Sequence, residues 1–271
     1  MYLKKLTLFN FKNYEEASVE FSTKLNCFTG SNGAGKTNLL DAIHYLSFTK
    51  SYFNLADQQN IRHQADFFSI HGQFVRNGTG TDDVSCIQKR AQKKQFRINT
   101  KDYDRLADHI GEFPLVMVSP YDRDLINEGS DLRRKYIDSV ISQFDRSYLD
   151  DLMVYNKALA QRNALLKQFG EKRFFDAASL EIWDEQMKAP AHRIHKRRKE
   201  FVENFLPVFN RYFSFISDSR EKVSINYQSD LLESSMDDLL RNNLKRDLDL
   251  RLKRETSFKS VLFLLEKNLF C

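Results

Sequence analysis

The sequence predicts an α/β fold: a phosphate-loop head that carries an antiparallel meander, followed by a mainly helical second lobe. Three observations predict it. Residues 30–37 spell Gly-Ser-Asn-Gly-Ala-Gly-Lys-Thr and sit between a short apolar stretch and a helical stripe. Apolar and polar residues alternate with period two through much of the stretch from Phe68 to Ile98. After Pro120 the apolar spacing changes to three and four, the period of an amphipathic helix.

The elements follow in order. Leu6 to Phe9 reads as a strand, with Leu6 and Leu8 on one face. Asn10-Phe11-Lys12-Asn13-Tyr14 is a polar-aromatic turn, and Ala17, Val19 and Phe21 then alternate as a half-buried strand. Leu25 to Thr29 reads as a strand running into the glycine-rich loop. Leu39, Leu40, Ile43, Tyr45, Leu46 and Phe48 mark the helix behind that loop. Phe68, Ile70 and Phe74, then Val84 and Cys86, then Phe96 and Ile98 form the meander, with a turn at Asn77-Gly78-Thr79-Gly80. Leu115-Val116-Met117-Val118 is a continuous apolar run, the pattern of a strand buried on both faces. Helices are expected over Leu132–Phe144, from a start box at Ser147 and Asp150 to Gly170, and from Leu180 through a kink at Pro190 to Phe205. The stripe Phe201, Phe205, Phe209, Tyr212 and Phe213 is expected in the core. Val223, Ile225 and Tyr227 suggest a strand, and Met236 to Leu248 a last helix.

The loop carries the chemistry. Gly30, Gly33 and Gly35 lack a Cβ, so the backbone can take positive φ and turn its N–H groups inward. Those donors and the following helix N-terminus form a nest for phosphate oxygens. Ser31, Asn32 and Ala34 complete the cradle, Lys36 is a point charge suited to terminal phosphates, and Thr37 offers a hydroxyl to Mg²⁺.

The bulk numbers narrow the class. The chain has 271 residues, of which 41% are hydrophobic and 29% charged, and a net charge of +5. The mild basic excess suits an anionic partner without demanding one. No apolar run approaches the ~18 residues of a membrane span, and the first residues lack a signal-peptide core. Cys27, Cys86 and Cys271 fit no metal spacing and read as reduced thiols of a cytosolic protein.

Three blocks carry a family resemblance. The first is Asn10-Phe11-Lys12-Asn13-Tyr14. The second is the loop extended through Asn38-Leu39-Leu40-Asp41-Ala42-Ile43. The third runs from Ser119-Pro120-Tyr121-Asp122 and Leu125-Ile126 through Arg133-Arg134-Lys135-Tyr136-Ile137-Asp138 to Tyr155 and Gln161-Arg162-Asn163-Ala164-Leu165-Leu166. Together they resemble the RecF family, bacterial DNA replication and repair proteins among the ABC/SMC-like ATPases. The likeness covers residues 1 to about 254.

That resemblance implies a two-lobed ATPase head that uses ATP and Mg²⁺ and forms an ATP-dependent homodimer around DNA. It implies single-stranded, gapped and junction DNA as substrates, RecO and RecR as partners, RecA loading and the SOS response as outcomes, and a cytoplasmic setting without membrane attachment. Residues 30–37 match the nucleotide loop position by position, with Thr37 holding Mg²⁺ through ATP. Lys12 and Asn13 match a loop that helps hold the nucleotide. Position 12 usually carries Arg, and Lys keeps the charge but lacks the planar fork.

The chain also departs from the family. No Ser-Gly-rich signature is present, Leu115–Val118 is followed by Ser119 where Asp is expected, and Val261–Glu266 only superficially resembles a strand ending in an acid. No catalytic residue is therefore nominated, and the chain is expected to bind nucleotide without efficient ATP hydrolysis. The expectation is a head at 1–120, a helical lobe at 121–254 and an aberrant tail at 255–271, with the C-terminal part of the head missing.

Other constellations are weaker. His192-Arg193-Ile194-His195-Lys196-Arg197-Arg198-Lys199 could track DNA phosphates or form a solvated helix face. Arg133-Arg134-Lys135 is open between structure and phosphate contact. Lys89-Arg90 with Lys93-Lys94 reads as a solvated hairpin edge. Two rival functions remain at this stage: a small-molecule P-loop kinase and a non-enzymatic helical interaction fragment.

Overall fold

The fold was read from a computed structural model. It describes residues 1–251 and 260–268, apart from 54–55, 77–79, 128, 173 and 221; for residue 222 and residues 245–251 and 260–268 only the backbone is described. The chain divides into two compact units, Met1–Met117 and Val118–Cys271.

The first unit is built on one six-stranded antiparallel sheet. Its strands are β1 (Tyr2–Phe11), β2 (Tyr14–Glu20), β3 (Phe67–Arg76), β4 (Gly80–Lys89), β5 (Gln95–Ile98) and β6 (Lys101–Asp102), in the order β2-β1-β3-β4-β5-β6. The register sets Leu8 opposite Ala17 and Ile70, and Ile70 opposite Cys86. Period-two alternation therefore gathers Leu6, Leu8, Phe68, Ile70, Val84, Cys86 and Phe96 into one core. Helix α1 (Lys36–Phe48) contributes Leu39, Ala42, Tyr45 and Leu46 to the same core.

Gly72 sits where Leu46 packs on the sheet. A Cβ on Gly72 would lie 2.4 Å from Leu46 Cδ1. The residue is small because the packing leaves no room for a methyl group. The predicted meander is thus present and continuous with the first two strands. Of its predicted turn, Asn77, Gly78 and Thr79 lie outside the described residues.

Two predicted strands are absent. Leu25–Thr29 and Leu115–Val118 are irregular chain that joins no ladder. Leu25 is 80% exposed, Val116 71% and Val118 80%. An apolar run becomes a strand only where a neighbour takes its N–H and C=O groups. Among the described residues neither run has such a neighbour strand.

The second unit is helical: α2 (Asp124–Asn127), α3 (Ser130–Ser142), α4 (Arg146–Lys172), α5 (Ala177–Ile216) and α6 (Met236–Arg251), with an antiparallel pair β7 (Lys222–Ser229) and β8 (Ser260–Asn268). Four details differ from the sequence reading. Helix α4 is capped by Asp145, whose carboxylate accepts from the Tyr148 N–H at 3.0 Å and from the Ser147 hydroxyl, so the Ser147–Asp150 box is not what starts it. Gly170 does not end α4, which runs on to Lys172. Helix α5 runs past Phe205 to Ile216, with Pro190 and Pro207 inside its 40 residues.

The aromatic stripe is the fourth. Phe201, Phe205, Phe209 and Phe213 follow four residues apart with ring centroids 5.7–5.8 Å apart, the outer two pairs stacked and the Phe205–Phe209 pair tilted. They are half-buried at best, and Tyr212, Phe215 and Ile216 are exposed. Only its first member reaches a core, Phe201 packing against the cluster of Ile137, Ile141 and Val202 and against Phe144, and the rest runs on as a half-buried ladder along the helix flank.

Buried ion pairs tie this unit together. Arg198 Nε and an Arg198 terminal nitrogen each donate to Asp138 at 2.8 Å, and the Tyr148 hydroxyl also donates to Asp138. Arg162, almost fully enclosed, donates to Asp184 at 2.6 Å. Val261–Glu266, the apolar run ending in an acid, lies within β8 against β7.

Candidate nucleotide-binding site

Residues 30–37 form the loop that the sequence predicts. Gly33 has φ of 83° and Gly35 of 105°, left-handed conformations that L side chains adopt only with strain. Gly35 then serves as the N-cap of α1, with no side-chain cap and no acid in the first turn. The helix therefore presents its opening N–H groups and the positive end of its dipole without a competing carboxylate. Ser31, Asn32, Gly33, Ala34 and Thr37 are exposed, as a surface cradle requires. Lys36 reaches back across the loop and donates to the carbonyls of Gly30 at 2.7 Å and Ser31 at 2.9 Å.

The turn between β1 and β2 leans directly on this loop. Asn13 Nδ2 lies 3.4 Å from the Ala34 carbonyl as donor, and Asn13 Oδ1 accepts from Asn38 at 2.7 Å. The Tyr14 hydroxyl donates to the Gly35 carbonyl at 3.1 Å. The approach is close enough that a Cβ on Gly35 would lie 2.7 Å from Asn13 Nδ2. Gly35 is thus required twice, for its φ and for this contact.

Lys12 does not join Asn13 at the loop. Its ammonium lies 2.6 Å from Asp41 Oδ2 and 4.9 Å from the centre of the Phe53 ring. Asp41 is fully enclosed on α1. It also accepts from the Ser51 hydroxyl at 2.8 Å and the Tyr52 N–H at 2.7 Å. Sequence reading missed Asp41, Ser51 and Tyr14 as members of the site. The available signal was that Asp41 is the only acid in α1.

Thr37 is the one residue of the loop that offers a hydroxyl at the first turn of α1. A single hydroxyl fits Mg²⁺ that arrives on a nucleotide, since that ion keeps several waters and takes phosphate oxygens as ligands. Among the described residues no group of three or more His, Cys, Asp or Glu could hold a metal by itself.

The other basic clusters resolve into different roles. Within the run 192–199, Arg198 is buried on Asp138, Arg193 grips Asp151 with two bonds, and Arg197 pairs with Asp145 and Glu200. Lys196 and Lys199 are exposed. His195 Nδ1 lies 3.0 Å from the Tyr227 hydroxyl, and burial lowers its pKa. Arg134 pairs with Asp131 and bonds Ser130, and Arg133 donates to the Leu125 carbonyl, so these two have structural partners. Lys94 is not solvated as expected. It is enclosed between Asp57 at 2.7 Å and the Thr49 carbonyl at 2.6 Å, over the Tyr45 ring.

Comparison with known proteins addresses the loop and the fold together. A family model described as an AAA domain matches residues 5–267. A DNA replication and repair protein RecF from Phocaeicola vulgatus is 49% identical over 247 residues, 91% of this chain and 66% of the relative. One from Flavobacterium johnsoniae is 48% identical over 247 residues, 91% of this chain and 68% of the relative. The chain belongs to the RecF family. It spans about two thirds of the length of these RecF relatives. Two solved RecF structures have the same fold. One, titled as the recombination mediator protein RecF with ATP in the RecFOR pathway, superposes with a TM-score of 0.86 at 28% identity, over 97% of this chain and 73% of that one. The second, titled as RecF with ATPrS, gives 0.88 at 28% identity, over 99% and 74%. The head-plus-helices architecture expected of a RecF protein is therefore present.

Proposed function

We propose that this chain binds ATP through Gly30–Thr37 and acts on DNA as a RecF-type replication and repair protein. The observation that carries the reading is the closed turn at Asn13 and Tyr14 over a glycine loop of the right φ, in a chain whose solved relative is titled with ATP. The loop N–H groups and the α1 N-terminus would take the phosphates, Lys36 would leave its carbonyls for the terminal phosphates, and Thr37 would meet Mg²⁺. Bound ATP would favour a homodimer on single-stranded, gapped or junction DNA, with RecO and RecR as partners in RecA loading. We place the protein in the cytoplasm; no described helix is long and apolar enough to cross a membrane.

Lys196 and Lys199 are the exposed cations we assign to DNA phosphates. We further assign the head to 1–120, the helical lobe to 121–254 and an aberrant tail to 255–271, of which Ser260–Asn268 pairs with β7 as β8. Turnover by this chain alone is expected to be poor, since the acid nearest the loop in sequence, Asp41, is fully engaged by Lys12, Ser51 and Tyr52.

The test is DNA binding with and without ATP across a salt series. ATP should tighten binding, and Lys36→Ala should abolish that response. Each phosphate-contacting lysine changed to alanine should lower the slope of log K against log salt by about one. ATP-independent binding with an unchanged slope in the lysine variants would sink the reading.

A further inference from the structure

Asp41 is the most completely enclosed acid near the loop, and the nucleotide-binding reading gives it no task. It stands on α1, five residues after Lys36. Its two oxygens receive three donors from two other segments. The Lys12 ammonium comes from the turn between β1 and β2, at 2.6 Å. The Ser51 hydroxyl and the Tyr52 N–H come from the chain just after α1, at 2.8 and 2.7 Å. A carboxylate this deeply buried is tolerable only when its lone pairs are met, and here they are.

The partner is equally constrained. The Lys12 side chain is 11% exposed, and its ammonium lies near the Phe11 and Phe53 rings. Its backbone takes a φ of 53°, and its N–H donates to the Asn60 carbonyl at 2.8 Å. The turn is thus held by its backbone on one side and by Asp41 on the other. The next two residues, Asn13 and Tyr14, are the ones that bond Ala34, Gly35 and Asn38 of the loop and α1. A continuous chain of contacts runs from Asp41 to Lys12, through one peptide bond to Asn13 and Tyr14, and from these to the loop backbone.

We propose that Asp41 is the positioning residue of the phosphate loop, acting through Lys12, and that Lys12 bolts the turn in place and does not itself hold phosphate. The proposal rests on the nucleotide-binding reading for its purpose but not for its geometry. Asp41 touches no nucleotide; it fixes the turn that fixes the loop. A lysine suits the role, since a compact ammonium fits between one carboxylate and two ring faces, where a planar guanidinium would need a second acceptor.

The test uses the full chain and two readouts. The first is amide hydrogen exchange without nucleotide. The second is the affinity for a fluorescent ATP analogue. Asp41→Asn should speed exchange of residues 12–14 and 33–38 by about tenfold, the effect of losing one charged hydrogen bond, and leave β3 and β4 protected. The affinity should fall by a similar factor. Lys12→Met should do the same, the double variant should be no worse than either single, and Lys12→Arg should recover part of the loss.

Unchanged exchange and affinity in Asp41→Asn would overturn the proposal. So would weak binding in Lys12→Met with native binding in Asp41→Asn, which would make Lys12 a direct phosphate ligand. Should Asp41→Asn lose protection in β3 and β4 as well, Ser51→Ala decides. It removes one donor, and the proposal requires faster exchange confined to the loop and turn. Native protein that does not bind the analogue would defeat the nucleotide-binding reading alone, because the exchange measurement still decides the role of Asp41.

Discussion

In the first unit, Leu6, Leu8, Phe11, Tyr45, Leu46, Phe68 and Ile70 are fully enclosed around one sheet and one helix. In the second, the most enclosed apolar side chains, among them Ile141, Tyr148, Ala158, Leu166 and Met187, are spread over three separate clusters, and the long helices are joined by Arg198–Asp138 and Arg162–Asp184. The head thus holds together by area removed from water, which is insensitive to direction. The lobe relies more on charge pairs, which are directional and fix how far one helix can slide along another. A loop that must keep its shape sits on the first kind of support. Long helices with little shared core need the second.

The largest expected effect tests the lobe. Arg198→Ala leaves Asp138 enclosed without its cation, and removal of one partner from a buried pair costs about 3–5 kcal/mol. Urea unfolding of the native and variant chains measures it. The double change Arg198→Met with Asp138→Leu should recover most of that loss. If it recovers nothing, the pair does more than satisfy itself.

Next comes the head. Gly72→Ala drives a methyl group into Leu46 and should cost about 1–3 kcal/mol, the range for overpacking. A variant as stable as the native chain would mean that α1 moves away freely, and the close-packed account of the head would fail.

A smaller effect separates the units by pH. His109 is enclosed, with Nε2 at 2.6 Å from the Leu46 carbonyl, and burial lowers its pKa below the ordinary 6.5. The geometry makes Nε2 the protonated nitrogen. The unfolded chain binds a proton at this residue before the folded one does. His109 therefore costs nothing above pH 6.5 and removes stability as the pH falls below it. His109→Gln should flatten the loss of stability on acidification below that pH. An unchanged slope would place the acid sensitivity on other groups, His44 first, since burial lowers its pKa too.

The smallest effect is Arg193→Ala. Its pair with Asp151 is well aligned but the arginine is more than half exposed, so solvent screening leaves about 0.5 kcal/mol or less. A larger loss would show that surface pairs add to the lobe as its buried pairs do.

Much of this was legible in the sequence, for physical reasons. The glycine loop is legible because few residue types tolerate its φ values. The meander is legible because period-two alternation has one solution in a half-buried sheet. The helical lobe is legible from its spacing. What failed was everything that depends on a neighbour. Leu25–Thr29 and Leu115–Val118 have the composition of buried strands, but composition cannot supply the adjacent ladder. The Phe201–Phe213 stripe has the spacing of a core helix, but spacing does not say whether anything packs on it. Lys94, Arg162 and Arg198 look like surface charge, and their acidic partners lie 22 to 60 residues away. At the site, Lys12 and Asn13 read as equals. The structure separates them because Asp41, which no spacing rule connects to Lys12, captures one and not the other.

The Lys36 contacts have a consequence for how an anion arrives. The ammonium already rests on two carbonyl oxygens inside the loop, at the distances of ordinary hydrogen bonds. Part of its water has been given up in folding. On the proposed reading, an incoming phosphate would exchange one set of oxygens for another around a cation that is already in place, so the solvent rearrangement on capture would be small and the loop would keep its outline.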